Sequence, residues 1–101
     1  MKTIKDIVED IREELEGGKN YAERAVKLRD TDSAASSMYA EMARQELGHA
    51  DNLHKLAVKM IDAERAAGHD APEAMKAVWD WEHSLMIDKM ARVKALLDMA
   101  R

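Results

Sequence analysis

Apolar residues recur at spacings of three and four along three long stretches of this chain, and only one proline is present to interrupt them. Alternating spacings of three and four place side chains on one face of an α-helix. The commonest residues, among them Ala, Leu, Met, Glu, Lys and Arg, are strong helix formers. The sequence therefore predicts an all-α protein, in which an antiparallel helical hairpin is followed by a third long helix.

Capping residues mark the ends of the predicted helices. The first two expected ranges are about 4–29 and 33–67, and the third helix is expected to start within residues 70–73 and to run to about residue 99. The short connections favour antiparallel neighbours. Gly68 is a stop signal for the second helix, and Pro72 is expected in the first turn of the third. The expected N-caps are Thr3, then Asp30 or Asp32, then Asp70. Residues 1–101 are predicted to form a single domain.

Composition excludes several classes of protein. The chain has no cysteine, so disulfides and thiolate metal sites are excluded. The net charge is −4, and the basic residues form no block, which argues against a nucleic-acid partner. No apolar run approaches the roughly 20 residues needed to cross a bilayer, and the first ten residues lack the apolar region of a signal peptide. A cytoplasmic location is expected, without membrane association.

Polar residues interrupt the apolar stripes of the first two helices. Glu46 and His49 fall within an apolar stripe of the second helix, and Glu14 falls on the stripe of the first. The second stripe consists of Met42, Glu46, His49, Leu53, Leu56 and Met60. The first consists of Ile4, Ile7, Ile11, Glu14, Gly18, Tyr21, Ala25 and Leu28. A buried carboxylate is costly unless it is paired or bound to a cation, so these positions require an explanation.

A turn centred near Thr31 places the three polar residues at one height. Glu14 lies 17 residues before that turn, and Glu46 and His49 lie 15 and 18 residues after it. At a rise of 1.5 Å per residue, an antiparallel hairpin brings them within about 3 Å of the same level. Two carboxylates and an imidazole at one level are suitable ligands for a divalent metal. We therefore predict that Glu14, Glu46 and His49 bind a metal.

Glu46 and His49 also form an E-x-x-H motif, which projects two ligands from one side of a helix. The motif is weak alone, because it occurs by chance in many helices. The alternative is a buried Glu–His hydrogen bond without metal. Gly17 and Gly18 lie close to Glu14 in the sequence, and they indicate a bend or a close helix contact, or else a tolerated surface pair.

These residues make the chain resemble the ferritin-like superfamily, and the encapsulated ferritins in particular. The resemblance rests on the run 13–16 (Glu-Glu-Leu-Glu), the following Asn20-Tyr21, and the E-x-x-H motif followed by Ala50, so it spans about residues 11–56. It implies a diiron site, ferroxidase activity and iron storage, with Glu14, Glu46 and His49 as the ligands. It further implies Glu16 as a metal-entry residue and Tyr21 as a neighbour of the site.

One chain supplies half of the ligand set described for diiron helical bundles, which take a Glu from each of two helices and an E-x-x-H from each of two others. The resemblance therefore implies a homodimer or a higher homo-oligomer, with the site shared between subunits. Rubrerythrin-like domains are also similar, but they carry both halves in one chain. No encapsulin-targeting tail follows the third helix, so an encapsulin shell is not an expected partner.

The third helix has a polar residue of its own near the centre of its apolar arc. Glu82 is a candidate extra ligand, although a hairpin about His69 would displace it by roughly 10–15 Å from the other three. A Glu82–Lys89 pair is the alternative. His83 lies at the edge of the arc, with no role assigned, and His54 is expected to face solvent. The arc consists of Met75, Val78, Met86, Met90, Val93 and Leu97.

Three hypotheses for function follow from the sequence. The first is a diiron oxidase that converts Fe(II) to Fe(III) at a site between two chains. The second is a non-catalytic oligomeric bundle with a structural or vestigial metal site. The third is a helical interaction module without metal. Iron is the expected metal, and manganese or zinc would accept the same ligands.

Overall fold

A computed structural model describes residues 3–101 as three α-helices. They are α1 (Ile4–Leu28), α2 (Ser33–Ala66) and α3 (Glu73–Met99), and the described residues contain no strand. The predicted all-α class and the order of a hairpin followed by a third helix are confirmed. Met1 and Lys2, the first two residues of the predicted domain, lie outside the described residues. None of the three helices combines the length and apolar character needed to span a membrane.

Side chains and turns fix the helix ends close to the predicted positions. Thr3 and Asp6 form a reciprocal capping box at the start of α1. Asp32 accepts a hydrogen bond from the backbone N–H of Ala35 (3.0 Å), so Asp32 rather than Asp30 caps α2. Gly68 has a φ of +80°, and the backbone hydrogen bonds around it form a Schellman motif that ends α2.

The prediction that Asp70 caps the third helix is wrong. The N-cap of α3 is Pro72, whose ψ of 150° is extended, and no side chain bonds the first turn. Helical dihedral angles begin only at Glu73. The N-cap residue directly precedes the first helical residue, whereas Asp70 lies three residues before Glu73, so it does not occupy the capping position.

The hairpin packs through small side chains of α2 rather than through its large ones. The buried residues of this helix are Ser36, Ala40, Ala43, Ala50 and Ala57. This buried line is displaced by one residue, about 100° around the helix, from the stripe that we predicted as buried. That stripe is half-buried or exposed, and the prediction of its burial is therefore wrong. Alanine side chains let two helices approach closely, whereas Met and Leu would keep α1 farther away.

Helix α3 lies parallel to α1 and packs on it through its C-terminal half. Arg12 pairs with Glu82 near one end, and Arg29 donates to the carbonyl of Met99 (2.9 Å) near the other. Met86, Val93 and Leu97 are buried, as the apolar arc predicts. The N-terminal part of the arc is not buried, because Met75 and Val78 retain 61% and 60% exposure.

Substitution of leucine for a buried alanine tests the close packing of the hairpin. Ala57→Leu is expected to lower the free energy of unfolding by about 1–3 kcal/mol, because the larger side chain has no space between α1 and α2. Ala57 is fully buried, whereas Ala63 of the same helix is exposed and provides the control. Urea unfolding of both variants measures the difference. Equal stability of Ala57→Leu and Ala63→Leu would contradict the packing described here.

Candidate metal centre

Glu14, Glu46 and His49 meet at the contact between α1 and α2. One potential ligand atom from each residue lies within 4.8 Å of the other two. His49 Nδ1 lies 3.2 Å from Glu14 Oε2, which is hydrogen-bonding distance. The Glu14 side chain is 28% exposed and that of His49 is 58% exposed, so this cluster opens toward solvent at one edge. The turn at residues 29–32 produces this juxtaposition by setting α1 and α2 antiparallel with the register that the sequence predicts.

Two glycines of α1 make room for Glu46. A methyl group at Gly18 would lie 3.4 Å from Glu46 Cβ, and one at Gly17 would lie 3.5 Å from Glu46 Oε2. Any side chain larger than alanine at either position would therefore press on the Glu46 side chain. Gly18 is also buried, so the glycine pair marks a close helix contact and not a tolerated surface pair.

The surroundings of Glu46 favour its protonated form. A hydrogen bond with Glu14 raises the pKa of Glu46 above its usual value of 4.5. Burial and the negative charge of Glu14 raise this pKa further, while His49 opposes them. The two carboxyl groups repel each other when both are ionised, and His49 offsets this repulsion only in part. A bound cation would supply positive charge and displace the proton.

The donor set fits a divalent metal ion. Carboxylate oxygens and imidazole nitrogens are ligands for iron, manganese and zinc. Ligand atoms on opposite sides of an ion, each at about 2.1 Å, lie about 4.2 Å apart. The separations in the cluster, at most 4.8 Å, therefore need only small side-chain movements to close on an ion. Three ligands do not complete a coordination shell, so further ligands must come from water or from another chain.

An incompletely covered face surrounds the cluster. This open face consists of Met38 and the stripe of α2 that we predicted as buried, which contains Met42, Glu46, His49, Leu53, Leu56 and Met60. Met38 and Leu56 are among the exposed large apolar side chains of the structure. A polar ligand cluster flanked by exposed apolar residues is typical of a surface that receives a partner.

The structure separates the other predicted site residues from the cluster. Glu82 forms an ion pair with Arg12, and not with Lys89. Arg12 and Glu14 are two residues apart in α1 and therefore project about 200° apart, so the Glu82 pair lies on a different side of α1 from the cluster. The geometry does not bring Glu82 to the other three residues.

Glu16 and Tyr21 have surroundings of their own. Glu16 is exposed, and it too lies about 200° around α1 from Glu14, so its role in metal entry stays a prediction. The ring of Tyr21 stacks on that of Tyr39 with centroids 6.0 Å apart, below the cluster along the hairpin. The guanidinium of Arg24 lies over the other tyrosine, 5.6 Å from the Tyr39 ring centroid.

Sequence reasoning missed a stack of three rings between α2 and α3. His54 is half-buried, so the prediction that it faces solvent is wrong. Its ring stacks with those of Trp79 and His83 of α3. The spacing of four between Trp79 and His83 signals that these two rings share one face of a helix. No pattern within α2 indicates that His54 meets them, because that contact depends on where the third helix packs.

Neutralising Glu46 tests the electrostatic description of the cluster. Glu46→Gln is expected to raise the thermal unfolding midpoint of the metal-free protein at neutral pH, because it removes a disfavoured negative charge and keeps the side-chain size. A raised folded-state pKa means that the folded chain binds a proton before the unfolded chain does. The contribution of Glu46 to stability therefore increases as the pH falls from 7 toward 4.5, the usual value for this group. That increase should be absent in the variant.

The control is Glu13→Gln, which alters an exposed carboxylate of α1 outside the cluster. Differential scanning calorimetry of both variants and the wild type across this pH range gives the comparison. A midpoint for Glu46→Gln at or below that of the wild type at neutral pH would show that the two carboxyl groups do not strain the metal-free fold.

Comparison with known proteins identifies one family. The protein-family model described as Rubrerythrin matches residues 7–93, which include both helices of the cluster and most of α3. No curated protein and no solved structure matches the chain. The match confirms the predicted ferritin-like character of the chain. The finer resemblance to the encapsulated ferritins stays a prediction.

Proposed function

The chain belongs to the rubrerythrin family, and we propose that it binds two iron ions between two subunits and oxidises Fe(II) to Fe(III) with O₂. The observation that carries the proposal is the convergence of Glu14, Glu46 and His49 within 4.8 Å. Their identity matches the ligand types of ferritin-like diiron sites, and their order along the chain follows the same pattern of a Glu followed by an E-x-x-H.

A second copy of the chain would complete the ligand set. Diiron bundles take a Glu from each of two helices and an E-x-x-H from each of two others. Here α1 contributes one Glu and α2 contributes one E-x-x-H, and α3 contributes no residue to the cluster. Two hairpins related by a twofold axis would therefore provide four helices and the full set of six ligands.

The open face of α2 supports this pairing. It extends from Met38 to Leu56 and on to Met60, a distance of about 33 Å at 1.5 Å per residue. A strip of that length and about 10 Å in width covers on the order of 300 Å² of α2. Stable dimers bury about 800 Å² per partner, so α1 would have to contribute the remainder of the interface beside this strip. Its exposed apolar side chains would be covered by the same side chains of the partner.

The residues of the cluster would hold and balance the metal, while iron would supply the electron transfer to O₂. Glu46 would release its proton as the ion binds, so affinity should decrease as the pH falls through the raised pKa of this residue. The contact between Glu14 Oε2 and His49 Nδ1 orients the imidazole before binding. Two Fe(II) ions would give up two electrons in all, and O₂ would accept them with two protons from solvent to form hydrogen peroxide.

Aerobic oxidation of Fe(II) tests the catalytic part of the proposal. The wild-type protein should develop ferric absorbance faster than buffer, and Glu46→Ala should reduce the rate to that of buffer because it removes a ligand. Glu13→Ala, an exposed carboxylate in α1, should retain the rate. Metal binding without accelerated oxidation would favour a structural or vestigial site. The absence of both metal binding and accelerated oxidation would favour an interaction module without metal.

The shared site predicts that metal drives dimerisation. Analytical ultracentrifugation should show a shift from monomer to dimer when Fe(II) is added without oxygen. Leu56→Lys should weaken the dimer because it places a charge on the open face. Val58→Lys is a matched control, since Val58 is also exposed but lies about 200° away around α2. Stoichiometric binding of metal by a protein that stays monomeric would exclude the shared geometry.

A further inference from the structure

The ring stack of His54, Trp79 and His83 joins α2 to α3. The centroids of the two imidazole rings lie 4.9 Å apart with an interplanar angle of 7°, so the rings are nearly parallel. The Trp79 ring lies 6.2 Å from His54 and 6.1 Å from His83, each within 5° of parallel. Both histidines are half-buried and line a cavity of about 20 Å³.

The close approach of the two imidazoles makes the contact sensitive to charge. Their planes are nearly parallel and their centroids lie only 4.9 Å apart. Two neutral rings can stack at this distance, whereas two imidazolium ions repel each other in a partly dehydrated setting.

The charged groups around the pair do not compensate for two added protons. From α2, Asp51 favours the charged form of His54, but its carboxylate already pairs with Lys55 (3.0 Å). From α1, Arg12 lines the same cavity and is paired with a carboxylate of α3. The α3 residues that line the cavity and carry a charge or can acquire one are Glu82, His83 and Lys89.

The N-terminal part of α3 has few other contacts with the rest of the chain. From Glu73 to Trp81, every residue except Trp79 is exposed. Contacts between α2 and α3 are sparse along their whole length, and α3 packs mainly on α1 through its C-terminal half. This part of α3 is therefore attached by the ring stack, by the Arg12–Glu82 ion pair and by the packing of Trp79 on the apolar core of α1 and α2.

We propose that the ring stack is a proton-sensitive contact, which holds residues 73–83 against α2 at neutral pH and releases them when both imidazoles become charged. This inference does not depend on iron binding or on dimerisation. The stack shares none of the three residues of the metal cluster, and its α3 rings lie on the side of the bundle where Glu82 meets Arg12.

The titration of His54 agrees with this geometry. Burial lowers the pKa of His54 below its usual value of 6.5, and the charge of His83 lowers it further, while Asp51 opposes both. His54 therefore binds a proton more readily when residues 73–83 are released, or when the chain is unfolded, than when they are attached. The contact is at full strength above pH 6.5, weakens as the pH falls below that value, and is weakest below the folded-state pKa of His54.

Hydrogen exchange of the full chain tests the release. Amide protection factors, which correct for the effect of pH on intrinsic exchange, should be compared at about pH 7.5 and about pH 5.5. We expect protection in residues 73–83 to fall about threefold or more at the lower pH, because the released state takes up protons more readily than the attached state does. Protection in α1 should change less. An equal change in α1 and in residues 73–83, or no change in either, would overturn the proposal.

Variants separate the stack from other histidines. His54→Gln and His83→Gln should each abolish the selective loss of protection at low pH, whereas His69→Gln, which alters an exposed histidine paired with Glu64, should retain it. Nuclear magnetic resonance titration of the wild type provides a measurement that needs no variant to fold. A His54 pKa at or above 6.5 would contradict the proposal, as would retention of the pH effect in both stack variants.

Discussion

The close approach of α1 and α2 is the constraint on which the rest of the structure depends. Small residues create it: alanines form the buried line of α2, and Gly18 of α1 lies beside Ala43 and Glu46. Because the two helices lie so near each other, the side chain of Glu46 must lie along the backbone of α1, beside Glu14. The same displacement of the buried line by one residue turns the Met and Leu side chains of α2 outward, where they form the open face.

The polar cluster adds an electrostatic cost to this packing. Two carboxyl groups and an imidazole at one level satisfy one another only in part, and the raised pKa of Glu46 reflects that shortage of positive charge. Functional sites often conflict with the local rules that stabilise the remainder of a fold, and the cost is offset elsewhere. Here the buried residues of α1 above and below the cluster provide that stability, with Ile7, Ile11 and Leu15 as the largest.

Two groups of titratable residues thus lie on different sides of α1, and they respond to acid in opposite ways. The pKa of Glu46 is raised, so its protonation relieves repulsion within the hairpin. The pKa of His54 is lowered, so its protonation weakens the attachment of α3. As the pH falls, the α1–α2 hairpin of the metal-free chain is relieved of repulsion while the N-terminal part of α3 loses a contact. The third helix is therefore the more acid-sensitive part of the fold.

The sequence by itself determined the three helices and the common level of the polar residues along the α1–α2 hairpin. Capping side chains and Gly68 act on their own neighbours, so the helix ends follow from short-range chemistry, and only the cap of α3 was misassigned. The turn between α1 and α2 contains few residues, so counting along a regular helix was sufficient to place Glu14 level with Glu46 and His49.

Only the tertiary structure decided which face of α2 is buried and which residues α3 contacts. Hydrophobicity favoured the Met and Leu stripe, but the free energy of close packing favoured the alanines, and that term depends on the shape of the opposing helix. The partners of His54 and Glu82 likewise come from residues far apart in the chain. Such contacts are set by the packing of whole helices, which the pattern within any single helix does not record.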